Sequence, residues 1–294
     1  MKQKMIYKAA MLFAAVSLSA CGGGGGGTNV DTAQSSSGNQ QPVVVSGCAT
    51  KNIPNPWSGE DYTKSIGDYT VSTNTWNKQM LTEWSVCIRS ASLTQNGVKA
   101  IFDIEWPFLN TGDAVRSYTN VTYTPNPGFE NPHSWFGTKA LDPISITNLS
   151  DLIVNHDLKV EYSGYSQTFY SFALDPSSVK FMDRAPLVEM GINLHPLAQT
   201  PENVIDTITV NGNTYWVQSW ESLVGGQRLV SLAFQSQTQI FKASIPLKPF
   251  FDYILEKNIF PRSYYLHSIQ LGMEAFSGKG TFTINDFSVS KQSR

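Results

Sequence analysis

Val188-Glu189-Met190-Gly191-Ile192-Asn193-Leu194 alternates apolar and small or polar residues without a break. Successive side chains of an extended chain point to opposite faces, so Val188, Met190, Ile192 and Leu194 share one face and Glu189, Gly191 and Asn193 the other. The segment predicts a strand with its apolar face in a core and its second face lining something polar. Comparable runs lie on either side: Tyr69-Thr-Val-Ser-Thr, Val98 to Trp106, Asp157 to Tyr162, Thr168 to Leu174, Ile205 to Val210, Thr214 to Trp220, Arg228 to Phe234, Tyr264 to Glu274 and Thr281 to Val289. Asn96-Gly97, Asn211-Gly212 and Ser277-Gly278-Lys279-Gly280 fall between runs and predict hairpin turns. So many short strands at regular spacing predict an all-β, two-sheet sandwich.

One stretch breaks this pattern. Leu247, Phe250, Phe251, Ile254 and Leu255 recur at helical spacing, so Pro246 to Lys257 predicts a single helix packed by one face on the sandwich, with Pro246 where a missing N–H does no harm. No internal repeat and no second linker divides residues 43–294, which predict one domain.

Composition narrows the partners. The chain has 294 residues, 21 Lys+Arg against 23 Asp+Glu, 15% charged residues and 12% aromatics. Low charge with many aromatics excludes a solvated disordered chain, and a net charge of −2 gives nucleic acid no electrostatic footing. A surface made polar by Ser, Thr, Asn and Gln suits neutral polar ligands.

The N-terminus reads as an address. Lys2, Lys4 and Lys8 precede an apolar stretch, Ala9 to Leu18, which is too short to span a bilayer, and Leu18-Ser19-Ala20-Cys21 follows. Residues 1–20 predict a signal peptide, and the small residues before Cys21 resemble a bacterial lipobox, which implies lipidation of Cys21. Residues 21–42, with Gly22 to Gly27 and a Ser/Asn/Gln-rich stretch, predict a flexible tether. Gly22 after Cys21 favours the outer membrane or surface of a Gram-negative cell. Cys48 and Cys87 remain as an even pair in an exported chain and predict one disulfide, contributing roughly 4 kcal/mol in the chain-entropy model.

Four scattered histidines, His133, His156, His195 and His267, have no ligand spacing and read as surface or wall residues, so no metal and no cofactor is expected. G-x-S-x-G is absent, and Lys279 lacks the glycine spacing of a phosphate loop. Two carboxylates sit inside strands, where a charge needs a reason. Glu189 shares its face with Gly191 and Asn193; Glu274 shares its face with Ser268, Gln270 and Gly272, opposite Ile269, Leu271 and Met273.

These segments carry a resemblance. Phe250-Phe251-Asp252-Tyr253-Ile254, then Tyr264 to Thr281 with Gly272-Met273-Glu274-Ala275-Phe276 and a Gly-x-Gly, then Phe287-Ser-Val-Ser, resembles the C-terminal third of glycoside hydrolase family 12. Val188 to Leu194 is similar to that family's Tyr-Glu-(Leu/Ile)-Met-Ile-Trp-Leu, Tyr69 to Asn77 to its Tyr-Thr-Val-x-Asn-Asn-Leu-Trp-Gly, and Val115 to Asn120 to its Val-Lys-Ser-Tyr-Pro-Asn. Cys48 and Cys87 flank Trp76 as the family's N-terminal disulfide does. The matches run in order over about 240 residues.

The resemblance implies a concanavalin-like β-jelly roll with an open cleft for β-glucan or xyloglucan and retaining, endo-acting hydrolysis. It implies Glu189 as nucleophile and Glu274 as acid/base, with Trp76 as a sugar platform beside Asn74. Asn193, Ser171 and Trp135, the last in a loop from Pro125 to Leu141, are further candidate substrate contacts, and the other aromatics are assigned mostly to the core. Three departures stand out. Gly191 and Asn193 replace Met and Trp, Ser171 replaces a supporting Asp, and Ala275 replaces a Pro. Ser171 and Asn193 favour the alternative of a weakened or inactive glycan-binding lipoprotein on the same fold.

Overall fold

The computed structural model describes residues 44–50, 62–75, 84–107, 115–125, 143–149, 152–176, 178, 188–195, 201, 203–224 and 227–291. The predicted signal peptide and tether, together with Trp76, Trp135 and His133, lie outside the described residues.

Two long strands organise the fold, β8 (Leu152–Asp175) and β14 (Tyr265–Lys291), paired antiparallel along almost their whole length. Before a bulge at Ala275/Ser277, the other edge of β14 pairs with β6 (Ser117–Tyr123); after it, with β5 (Val98–Trp106). The pair therefore passes from one layer into the other. The first layer runs β2 (Thr63–Ile66), β3 (Tyr69–Ser72), β6, the first half of β14, the second half of β8, β9 (Val188–Asn193), β12 (Gln227–Ser236), β11 (Asn213–Val224) and β10 (Val204–Val210). The second runs β1 (Val45–Thr50), β4 (Ser85–Leu93), β5, the remainder of β14 and β8, then β13 (Lys242–Pro246). A two-residue strand, β7 (Ile144–Ser145), pairs with the start of β14. This is the predicted jelly-roll sandwich.

The expected hairpin at Ser277 to Gly280 is not a turn. These residues lie within β14, and the runs read as separate strands, Tyr264 to Glu274 and Thr281 to Val289, are one; Asp157 to Tyr162 and Thr168 to Leu174 likewise merge into β8. The glycines serve close approach. Gly278 (φ 116°) faces Gly164 (φ 139°), and a Cβ on Gly278 would sit 2.0 Å from the Ser163 carbonyl oxygen. The other two signals are turns as expected: Asn211 and Gly212 (φ 49° and 78°) join β10 to β11, and Asn96-Gly97 lies between β4 and β5.

The apolar faces of the layers meet in one core. Phe287 of the second layer lies 5.7 Å from the Tyr69 ring and 6.0 Å from the Tyr170 ring of the first. His156, read from sequence as a surface or wall residue, is buried in this core. Burial depresses its pKa, so its ring is neutral; Nε2–H donates to the Ile240 carbonyl (2.8 Å) and Nδ1 accepts from the Tyr170 hydroxyl (2.9 Å). His267 is buried as well, while His195 is only half-buried.

The helix α1 spans Lys248–Glu256, two residues shorter at its start than predicted. Pro246 ends β13 instead, and Pro249 occupies the first turn, where its missing N–H costs nothing. Phe250 packs on Tyr215 (5.2 Å) and Phe234 (5.0 Å), and Phe251 on Phe172 (6.4 Å). The helix thus covers the core face of β8, β12 and β11. The predicted disulfide joins Cys48 to Cys87, register partners on β1 and β4.

Candidate active site

With Val188, Met190, Ile192, Tyr170, Phe172, Ile269, Leu271 and Met273 all in the core, period-2 alternation leaves Glu189, Gly191, Asn193, Phe169, Ser171, Gln270, Gly272 and Glu274 on the opposite face of the first layer. That face is polar, and its centre is dry: Glu189 is 4% exposed and Glu274 0%. A carboxylate is left without solvent only where something else is meant to satisfy it.

Each carboxyl has one partner. The Ser171 hydroxyl donates to Glu189 Oε1 at 2.9 Å, and the Gln167 amide of β8 donates to Glu274 Oε2 from the directly opposite register position. The other oxygens, Glu189 Oε2 and Glu274 Oε1, are buried without a hydrogen-bond partner. Burial pushes the Glu274 carboxyl up to about 7, against the Gln167 amide. Burial also drives Glu189 well above the usual carboxylate range; the Ser171 hydroxyl opposes this and the charge of Glu274 adds to it. The dry site thus pushes both carboxyls toward their protonated forms, and the charge of one favours keeping a proton on the other.

Tyr118 completes the centre. It is the register partner of Glu274 on β6, its ring stacks on Phe169 (centroids 4.7 Å apart), and its hydroxyl donates to the Phe169 carbonyl at 3.2 Å. Burial and both carboxylates raise its pKa, so it stays a neutral donor. Gly272 makes room for this ring, since a Cβ there would lie 2.7 Å from Tyr118 Cε2 and 2.5 Å from the Thr119 carbonyl oxygen. Asn74 (φ 38°) lies one position further out, and its carbonyl accepts the Tyr118 N–H at 2.9 Å. On the other side, Asn193 Nδ2 donates to Gln235 Oε1 at 2.8 Å, while Asn193 Oδ1 and Ser231 Oγ are buried without a partner.

Five of the predicted site residues therefore share one face: Glu189, Glu274, Ser171, Asn193 and Asn74. Trp76 and Trp135 are not described. Sequence reading missed Tyr118, Gln167, Gln235, Ser231, Trp216 and Trp220. Parity would have found several of them, because Gln167 has the parity of Ser171, and Trp216 and Trp220 have that of Gln218. Both tryptophans are half-buried on the polar face and do not belong to the core.

Two carboxyls that feel each other's charge on one polar face are the groups that glycoside hydrolysis uses as nucleophile and acid/base. The sequence model described as Glycosyl hydrolase family 12 matches residues 192–292. That match covers the C-terminal third of the chain, and the fold as a whole is similar to solved family 12 structures. A xyloglucan-specific endo-beta-1,4-glucanase A of Emericella nidulans is 24% identical over 238 residues, 79% of this chain and 89% of the relative. The Inactive glycoside hydrolase XLP1 of Phytophthora nicotianae is 23% identical over 227 residues, 76% of this chain and 86% of the relative. The native family 12 xyloglucanase from Bacillus licheniformis superimposes with a TM-score of 0.67 at 16% identity, covering 85% of this chain and 100% of that one.

Proposed function

We propose that the protein hydrolyses internal β-linkages of a glucan-type polysaccharide with retention of anomeric configuration. The observation that carries this reading is the pair of buried, unpartnered carboxyl oxygens, Glu189 Oε2 and Glu274 Oε1, on one polar face. In the first step the proton that the pair keeps sits on Glu274, which gives it to the glycosidic oxygen as the C–O bond breaks, while Glu189, ionised in that protonation state, bonds through its free oxygen to the anomeric carbon. In the second, Glu274, now ionised, takes a proton from water, whose oxygen displaces Glu189 and frees the sugar. A Glu274 pKa of about 7 suits a group that serves as acid and then as base near neutrality. No charged cofactor is required by this chemistry.

Glu189→Gln is expected to lower kcat on soluble β-glucan and xyloglucan by at least about 10⁴-fold, and Glu274→Gln by about 10²–10⁴-fold. Reducing-end release measures both, and proton NMR of the first-formed anomer tests retention. Initial release of the inverted anomer would rule out the covalent route.

A second reading keeps the cleft as a glycan-binding site with weakened catalysis. Its support is Ser171, which gives Glu189 a hydroxyl in place of a carboxylate, together with similarity to a relative described as inactive. Wild-type protein that binds xyloglucan while releasing no reducing ends would establish it.

We further propose that residues 1–20 direct export, that Cys21 carries a lipid, and that residues 21–42 hold the domain away from an outer membrane. The support is the lipobox-like Leu18-Ser19-Ala20-Cys21 and the polyglycine that follows it.

A further inference from the structure

The polar face continues beyond the carboxyl pair toward β11. In register, Glu189 of β9 neighbours Ser231 of β12, which neighbours Trp220 of β11; Asn193 neighbours Gln235, which neighbours Trp216. Between these two rows lie only Gly191, Ala233 and Gln218. The rows thus flank a path with little side-chain bulk, running across the strands from the nucleophile to the tryptophans. Adjacent strands are about 4.8 Å apart, so the path from β9 to β11 is about 10 Å, the span of two pyranose units.

Burial changes along this path. Glu189, Ser231, Asn193 and Gln235 are all at most 4% exposed, whereas Trp216 and Trp220 are half-buried and form the solvent rim. The polar atoms along the path are unspent: Ser231 Oγ and Asn193 Oδ1 are buried without partners. Both tryptophans stand four residues apart on one strand, about 13 Å at the backbone, which leaves room for a sugar ring between them. An indole face meets the C–H face of a pyranose without charge, and its N–H reaches a hydroxyl.

We propose that Trp216 and Trp220 form a rim subsite that clamps the substrate ring two units away from Glu189, with Ser231 and Asn193 taking hydroxyls of the rings between. This rests on the hydrolase reading for the identity of the ligand as a β-linked glucan chain. The site gives the chain a preference for long substrates.

Titration of the full chain bearing Glu189→Gln with 1,4-linked glucose dimer and hexamer tests the proposal, because only the hexamer reaches from Glu189 to the tryptophans. The hexamer is expected to bind more tightly than the dimer, and adding Trp220→Ala or Trp216→Ala shrinks that advantage about tenfold. Trp220→Phe restores most of it, and an unchanged far-ultraviolet circular dichroism spectrum and Tm show that the fold is intact. Equal loss for dimer and hexamer, no loss for either, or no hexamer binding by the parent overturns the clamp. If wild-type protein releases no reducing ends while the tryptophan dependence holds, the clamp stands and the hydrolase reading falls. If wild type hydrolyses glucan and the tryptophans contribute nothing to length preference, the clamp alone falls.

Discussion

A carboxyl held neutral by burial changes how stability follows pH. Burial pushes the Glu274 carboxyl up to about 7 in the folded chain, above its ordinary value of 4.5. A raised folded pKa means that the native state binds more protons than the unfolded state between those values, so stability is full below about pH 4.5 and falls as pH rises through 7. The loss from this residue at pH 8 is about 3 kcal/mol. Thermal unfolding is therefore expected to show a higher Tm at pH 5 than at pH 8, and Glu274→Gln, uncharged at both, to reduce that difference and raise Tm at pH 8, with the buried Glu189 carboxyl keeping the remainder. An unaltered pH dependence in Glu274→Gln would place the cost elsewhere. Glu189 and Glu274 were legible in the sequence because alternation alone puts them on the face opposite a run of core residues. Parity also puts Gln167 on that face, but its pairing with Glu274, like that of Tyr118, arises from register across more than 100 residues of chain, which local pattern does not encode.

Glycine shows why elements are harder to read than residues. Gly212 and Gly278 look alike in sequence, each beside polar residues between apolar runs, and only one of them is in a turn. Gly212 has positive φ and open space, with nothing within 4 Å of where a Cβ would stand, while Gly278 has positive φ and a backbone oxygen 2.0 Å from that point. Gly212→Ala is expected to cost about 1 kcal/mol, from dihedral strain alone. Gly278→Ala is expected to cost more than about 3 kcal/mol, because β8 and β14 must separate where the layers join. Urea unfolding of the two variants measures the difference, and equal costs would show that close approach at Gly278 is not the constraint. The hairpin at Asn211-Gly212 was readable because its two positive φ values are a local demand. The strand at Gly278 was misread because its demand comes from a neighbouring strand. The helix was legible in its apolar spacing, and its start slipped because two prolines compete for the same role and β13 claims the first.

At the scale of the whole molecule, the jelly roll follows from many alternating runs, and layer membership does not. Nothing in β8 or β14 announces that one strand serves both layers. The proposed anchor belongs to this scale too. Full-length protein made in a Gram-negative host is expected in the membrane fraction, and Cys21→Ser in the soluble exported fraction with its activity on soluble glucan retained. Membrane retention of Cys21→Ser would overturn the lipid assignment. The shared strands carry a consequence for the order of events in folding. β14 follows every other described strand in the chain, yet lies between β6 and β8 in one layer and between β5 and β8 in the other. Until it arrives, β5 and β6 have no route to β8, and both layers stand as halves with open edges. The domain therefore closes late and all at once, when its last long strand settles between partners that were made well before it.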